Sequence, residues 1–200
     1  MASPDPDDTL AFYRDHAATY AARDRKPPTA RLAAFVHRLP PGATVLDLGC
    51  GGGHDSLAML EAGLDITACD GSQELAREAE IRIGRKVEVI RFQEIVWLDR
   101  FDGIWAEASL LHVPRTELAD VLMRVRRSLK PGGFLHASFK AGEAEGHDRF
   151  GRYYNYPSAE GLRSLLEEAG WSDVKIGEAD GGGYDSEPTR WLYVEAMRPA

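Results

Sequence analysis

Residues 45–56 read VLDLGCGGGHDS, an apolar run with an acid inside it, four glycines in five positions, and the opening of a helix. Such a run predicts a buried strand, then a tight turn, then a helix whose first N–H groups are free to meet a ligand. Outward from this stretch, short apolar runs alternate with helical ones to the end of the chain. Strands are predicted over 44–48, 65–69, 86–90, 101–106 and 133–139, with helices over 56–62, 73–83 and 115–129 between them. The alternation predicts βαβ units and a parallel α/β sheet.

The flanks differ. Leu10, Tyr13, Ala17 and Tyr20 recur at helical spacing and predict an amphipathic helix over 10–22, followed by a second over 31–38 that Pro40, Pro41 and Gly42 stop. In KPGG (130–133), Pro131 and Gly132 predict a tight turn that closes the helix before it. Residues 140–157, KAGEAEGHDRFGRYYNYP, show no period and predict a long loop. Ser158 then caps a helix through Ala169, and WSDVKI (171–176) and TRWLYVEAM (189–197) predict an antiparallel pair of strands. The expected division is an N-terminal helical segment, 1–40, on one domain, 41–200.

Composition narrows the partners. At 200 residues, 44% of them hydrophobic, the chain can bury one substantial core, and its net charge of −8 disfavours nucleic acid and anionic membranes. A small-molecule substrate is the expectation. The acidic start MASPDPDDTL has no signal-peptide pattern, no run is long enough to span a bilayer, and two cysteines make no disulfide framework. A cytoplasmic protein without a metal site is expected.

In a parallel sheet a ligand sits beyond the carboxyl ends of the strands, so the glycine turn is the expected cofactor site. A phosphate-binding loop requires a Lys that is absent here, and a dinucleotide fingerprint is only partly met, since His54 stands at its third glycine. Asp47, ahead of the glycines, suits a ligand with an ammonium group. Asp70, about twenty residues on at the end of the second strand, can accept from both hydroxyls of a ribose. A nucleoside with a cationic amino-acid end and no pyrophosphate satisfies all of these, as S-adenosylmethionine does. A nicotinamide-dependent oxidoreductase and a protein that binds the cofactor without catalysis are the competing readings.

With VLDLGCGGGHDS, ITACDGS, FDGIWAEASLLHVP and LKPGGFLHASF in this order, the sequence resembles the class I S-adenosylmethionine-dependent methyltransferases over residues 30–140. The resemblance implies a Rossmann-like, doubly wound, seven-stranded sheet with a reversed last strand and helices on both faces. It implies that Gly49 and Gly51 contact the methionine part, that Asp70 takes the ribose, and that Gly71 and Ser72 border the adenine. Tyr13 and Tyr20 resemble the family's N-terminal segment that folds over the cofactor carboxylate. Where many members place an acid after the third strand, Arg91 stands here, and Phe92, Gln93 and Glu94 are the expected substitutes on the adenine.

Methyl transfer needs a nucleophile held in line, water excluded and sometimes a base. After the fourth strand the sequence lacks the Asn/Asp-Pro-Pro-aromatic motif of enzymes that methylate the amino groups of bases, and the paired glutamates of arginine methyltransferases. His112 is the candidate general base, with Glu107 as a second catalytic candidate and Ser109 near the same position. Lys140, Arg149, Arg152, Tyr153 and Tyr154 are the candidate substrate-binding group, and Arg with Tyr suits an anionic or aromatic acceptor.

Overall fold

The computed structural model describes residues 6–23, 29–184 and 187–200. Part of the acidic opening, residues 1–5, lies outside them. In chain order the elements are α1 (Pro6–Ala21), α2 (Thr29–His37), β1 (Thr44–Leu48), α3 (His54–Glu61), β2 (Asp65–Asp70), α4 (Gln73–Ile83), β3 (Val87–Val89), β4 (Phe101–Ala106), α5 (Arg115–Ser128), β5 (Leu129–Lys140), β6 (Gly146–His147), β7 (Tyr153–Tyr154), α6 (Ala159–Glu168), β8 (Ser172–Gly182) and β9 (Pro188–Met197).

Seven strands form one sheet in the order β3-β2-β1-β4-β5-β9-β8, and β9 runs antiparallel to both its neighbours. This is the doubly wound sheet with a reversed last strand that the sequence predicts. Strand order reverses between β1 and β4, which are parallel neighbours, so the crevice for a ligand opens at their carboxyl ends.

Alternation along the strands divides the core between the two faces. Val45, Ile66, Ala68 and Trp105 pack with Leu32 and Phe35 of α2, Met59 of α3, and Ala76 and Ala79 of α4. Leu46, Leu48, Ile104 and Ala106 face the other way and pack with α5 and α6. Among the described residues no helix is long and apolar enough to cross a membrane.

Apart from β8, which runs on to Gly182 past the predicted end at 176, two departures from the sequence expectation stand out. β5 begins at Leu129, four residues early. Its pairing with β4 jumps from Phe101↔Leu129 to Gly103↔Phe134, so the KPGG turn bulges out of a ladder that had already started. Gly132 supplies the left-handed φ of 78° in the bulge, which is pinned by Gly132 N–H to the Arg198 carbonyl (3.1 Å) and Arg198 N–H to the Gly133 carbonyl (2.8 Å). The second departure is the predicted loop 140–157, which carries the two-stranded ribbon β6–β7 and buries Arg152, Tyr153, Tyr154 and Asn155. Its period was hidden because the ribbon is only two residues long on each side and packs by single large side chains.

Trp105 is fully buried, donates from Nε1 to Asp55 Oδ2 at 2.9 Å, and stacks on His136 with centroids 4.0 Å apart. Trp105→Ala is expected to lower the urea unfolding free energy by about 3–5 kcal/mol. A loss under about 1 kcal/mol would show that this face closes without it.

Candidate active site

The carboxyl ends of β1, β2 and β4, with α1 laid across them, enclose a cavity of about 470 Å³. That is within the usual size of a small-molecule site. The glycine turn forms its floor. Gly49 and Cys50 both donate to the Cys69 carbonyl at 2.9 Å, and Gly51 donates to Asp70 Oδ2 at 2.9 Å. Gly49 must be glycine on two counts: its φ is 76°, and a Cβ there would lie 2.5 Å from the Ser109 Cβ. Beneath the turn Asp47 is buried and accepts from Ser56 Oγ at 2.5 Å.

Asp70 serves as more than a wall residue. Oδ2 holds Gly51, and Oδ1 accepts from Ser72 N at 2.9 Å, so one carboxylate joins the β1 turn to the β2 turn. Burial raises its pKa above the usual carboxylate range, and the N–H groups of Ser72, Gly51 and Gly71 offset this only in part. A carboxylate held at such a cost in a cavity is poised for further donors.

All of the expected cofactor residues but one line the cavity. Gly49, Gly51, Asp47 and Asp70 form its floor, Gly71 and the 92–94 turn of Phe92, Gln93 and Glu94 one side, and Tyr13 and Tyr20 of α1 the cover. Ser72 does not line it. That side chain caps α4, accepting from Leu75 N at 3.3 Å. Arg91 does line the cavity, and its backbone N–H is held by Glu94 Oε2 at 2.8 Å.

Glu107 and His112 line the end of the cavity beyond β4. Ala108 between Glu107 and Ser109 has a left-handed φ of 54°, held by its N–H to Ser138 Oγ at 2.8 Å. Glu107 accepts from Arg31 Nη2 (3.2 Å) and His136 Nε2 (3.0 Å). Its burial would raise the pKa, but the His136 hydrogen bond and the Arg31 charge prevail and keep it below the usual range.

Both nitrogens of His112 are engaged. Nδ1 lies 2.6 Å from the Tyr153 carbonyl, which can only accept, so Nδ1 carries the proton and Nε2 accepts from the Tyr13 hydroxyl at 3.0 Å. Burial, reinforced by the Arg152 and Lys140 charges, pushes its pKa down to about 3. His112 is therefore a neutral hinge pin for α1 and has no open nitrogen with which to act as a base.

The expected substrate-binding group lies elsewhere. Lys140, Arg149, Arg152, Tyr153 and Tyr154 are absent from the cavity wall. Arg152 is buried in a two-pronged pair with Asp148 Oδ2 (2.9 and 2.6 Å) and stacks on Phe12 of α1 at 4.8 Å. Tyr153 N–H donates to Thr9 Oγ1 at 2.9 Å, Lys140 Nζ sits over the Tyr154 ring at 4.4 Å, and Arg149 lies over Phe150 at 4.9 Å. Arg152 and Tyr153 thus fasten α1, through Phe12 and Thr9. Sequence proximity to the mouth could not separate a side chain that faces the cavity from one that holds its cover.

Sequence reading missed Leu10, Arg23 and Glu117, which line the cavity, and Arg82, which does not. From the last turn of α4, Arg82 donates to the Gly52 carbonyl (Nε, 2.6 Å) and to the Ala21 carbonyl (Nη2, 2.8 Å), tying the glycine turn to the end of α1. Nothing local marks it, because a basic residue in a last helical turn is ordinary. Among the described residues no cluster of His, Cys, Asp and Glu could hold a metal ion, and burial raises the pKa of both Cys50 and Cys69.

Residues 45–133, which run from the glycine strand through β4 to the KPGG bulge, match the family model for a methyltransferase domain. The chain is similar to methyltransferases over this span. It is 37% identical over 113 residues to the cypemycin N-terminal methyltransferase of a Streptomyces species, covering 53% of this chain and 46% of that protein. To a ubiquinone biosynthesis O-methyltransferase of Xanthomonas campestris it is 33% identical over 105 residues, covering 49% and 43%. The chain thus spans less than half the length of either relative. In fold the chain is similar to the 1,6-didemethyltoxoflavin-N1-methyltransferase of Burkholderia thailandensis, with a TM-score of 0.78 at 22% identity, covering 100% of this chain and 92% of that one.

The protonation of His112 has a measurable consequence. In the unfolded chain a His titrates near 6.5, whereas the folded one stays neutral to about 3. Below pH 6.5 the unfolded state thus binds a proton that the folded state refuses, and stability falls as pH drops through that window. Between pH 7 and 5 His112 should account for about 2 kcal/mol of lost stability. Urea unfolding of the wild type and of His112→Gln at the two pH values checks this: the variant should lose that much less. Equal losses would place a charged or exposed imidazole at this position.

Proposed function

We propose that this protein is an S-adenosylmethionine-dependent methyltransferase that acts on a small molecule. The observation that carries the reading is Asp70, a buried carboxylate of raised pKa at the end of β2, facing a cavity whose floor is the glycine turn. The donors present suit that cofactor. Asp70 can accept from ribose hydroxyls, Asp47 supplies negative charge beneath the end that carries an ammonium, and Phe92, Gln93 and Glu94 can border the adenine. Gly49 and Gly51 allow the methionine part to lie close to the backbone. When bound, the cofactor supplies a methyl group on a sulfonium sulfur, which is electrophilic without help from the protein.

The protein's part is then to position and to exclude water. Tyr13 and Tyr20 cover the site, with Tyr13 held by His112 and α1 held by Arg82, Tyr153 and Arg152. Glu107, fixed between Arg31 and His136, shapes the acceptor end. In this reading His112 and Glu107 are positioning residues. Relatives named for N- and O-methylation of small molecules and of a peptide terminus lend support to the transfer reaction and leave its acceptor class open.

Calorimetry with S-adenosylhomocysteine tests the assignment. The wild type should bind it, NAD should give no heat, and Asp70→Asn should weaken binding by at least about tenfold with the circular dichroism spectrum kept, as expected for loss of hydrogen bonds to a charged group. Binding of NAD in place of S-adenosylhomocysteine, or unchanged affinity in Asp70→Asn, would overturn it.

A further inference from the structure

Tyr184 stands between β8 and β9 and is no part of the cavity wall. Its ring nevertheless packs on two residues that are. It stacks on Tyr20 with centroids 5.6 Å apart and planes within 13°, and the guanidinium carbon of Arg23, just past the end of α1, lies 4.5 Å from its centroid. Three further contacts fix the ring itself: Phe12 and Phe150 meet it edge-on at 5.4 Å, and the guanidinium of Arg152 lies 4.8 Å from it. The hairpin, the 146–154 segment and α1 thus converge on one aromatic side chain.

Arg23 is half-buried and lines the cavity, and its charge rests on two ring faces, Tyr184 and, at 5.6 Å, Tyr20. Among the described residues no carboxylate pairs with it and no oxygen accepts from its N–H groups. A ring face steadies a guanidinium but offers no lone pair in the plane of the group, so its fork of donors is left for a ligand. Its place in the wall says which part of a ligand. The end of α1 lies on the glycine turn, where a Cβ on Gly51 would come 3.5 Å from Tyr20 Cε1 and one on Gly52 3.0 Å from Ala21 Cα. Asp47, Asp55 and Asp70 line the same cavity, so an anionic group at this end needs a cation beside it. Tyr13, which the family resemblance sets over the cofactor carboxylate, gives its only proton to His112 Nε2 and has none left to donate.

We propose that Arg23 binds the carboxylate of the methyl donor and that Tyr184 is a positioning residue that holds Arg23 for it, so that the β8–β9 hairpin tunes the amino-acid end of the site. The proposal rests on the methyl-donor reading above and deepens it. A long side chain at the end of a helix otherwise loses rotamer freedom whenever it grips a ligand, and the ring removes much of that freedom beforehand. The contacts that do so are all made by the ring, so the phenol oxygen is dispensable and the aromatic face is not.

Two ligands test this: S-adenosylhomocysteine, and the same molecule without its carboxyl group, which ends in a plain aminopropyl arm. By calorimetry on the full chain, the wild type should bind S-adenosylhomocysteine at least about tenfold tighter than the decarboxylated form. Arg23→Gln should shrink that ratio to below about threefold, Tyr184→Leu should cut it by at least about threefold, and Tyr184→Phe should keep it within about twofold of the wild type. A merely structural role for Tyr184 would weaken both ligands alike and leave the ratio unmoved. Equal affinity of the wild type for the two ligands, a ratio unchanged in Arg23→Gln or in Tyr184→Leu, or the same loss in Tyr184→Phe as in Tyr184→Leu would overturn the proposal while leaving the methyl-donor reading intact. If neither ligand binds the wild type, the donor reading falls and this proposal falls with it.

Discussion

The carboxylate of Asp70 ties the N–H of Gly51 to the N–H of Ser72, and much of the site hangs from that pair of bonds. The glycine turn has almost no side chains with which to fix itself, so its shape depends on what its backbone groups can reach. Cys69 offers a carbonyl to Gly49 and Cys50, Asp70 offers its acid to Gly51, and Arg82 takes the Gly52 carbonyl. Two neighbouring elements, β2 and α4, thus hold a segment that could otherwise adopt many conformations, and the entropy cost is met by them. The same acid is left with a raised pKa in a cavity, the usual mark of a group arranged for a ligand more than for stability.

The cover over this floor is secured at four points along α1. Thr9 meets Tyr153, Phe12 stacks with Arg152, Tyr13 meets His112, and the Ala21 carbonyl meets Arg82. Arg152 is a buried charge, tolerable because Asp148 pairs it through two nitrogens and Phe12, Tyr154 and Tyr184 supply faces around it. Tyr184, between β8 and β9, also stacks on Tyr20, so the far hairpin contributes to the same closure. Residues from both ends of the chain therefore enclose a cavity whose floor is laid down by its first half.

Legibility followed the range of the interaction. Strand and helix positions, the Ser158 cap and the placing of Asp47 and Asp70 at strand ends rest on contacts within a few residues, and the pattern of residue types carries them. The role of HDRFGRYYNYP was not legible, because whether Arg152 faces a ligand or Phe12 depends on an element some 140 residues earlier. His112 was misjudged for a similar reason: an unperturbed imidazole suggests a base, and only the packing of α1 and the Tyr153 carbonyl takes both nitrogens out of use.

By itself the sequence determined the order of the elements, the reversed last strand and the glycine turn at the end of the first strand, since glycines, a strand-end acid and hydrophobic periodicity act locally and leave few alternative arrangements. Only the tertiary structure decided which side chains face the cavity. The residues that line it come from separate segments, and its charge depends on which basic side chains the fold turns away from it. Arg152 and Lys140 carry the positive charge that would suit an anion, and the fold spends both on holding the ribbon and the cover in place.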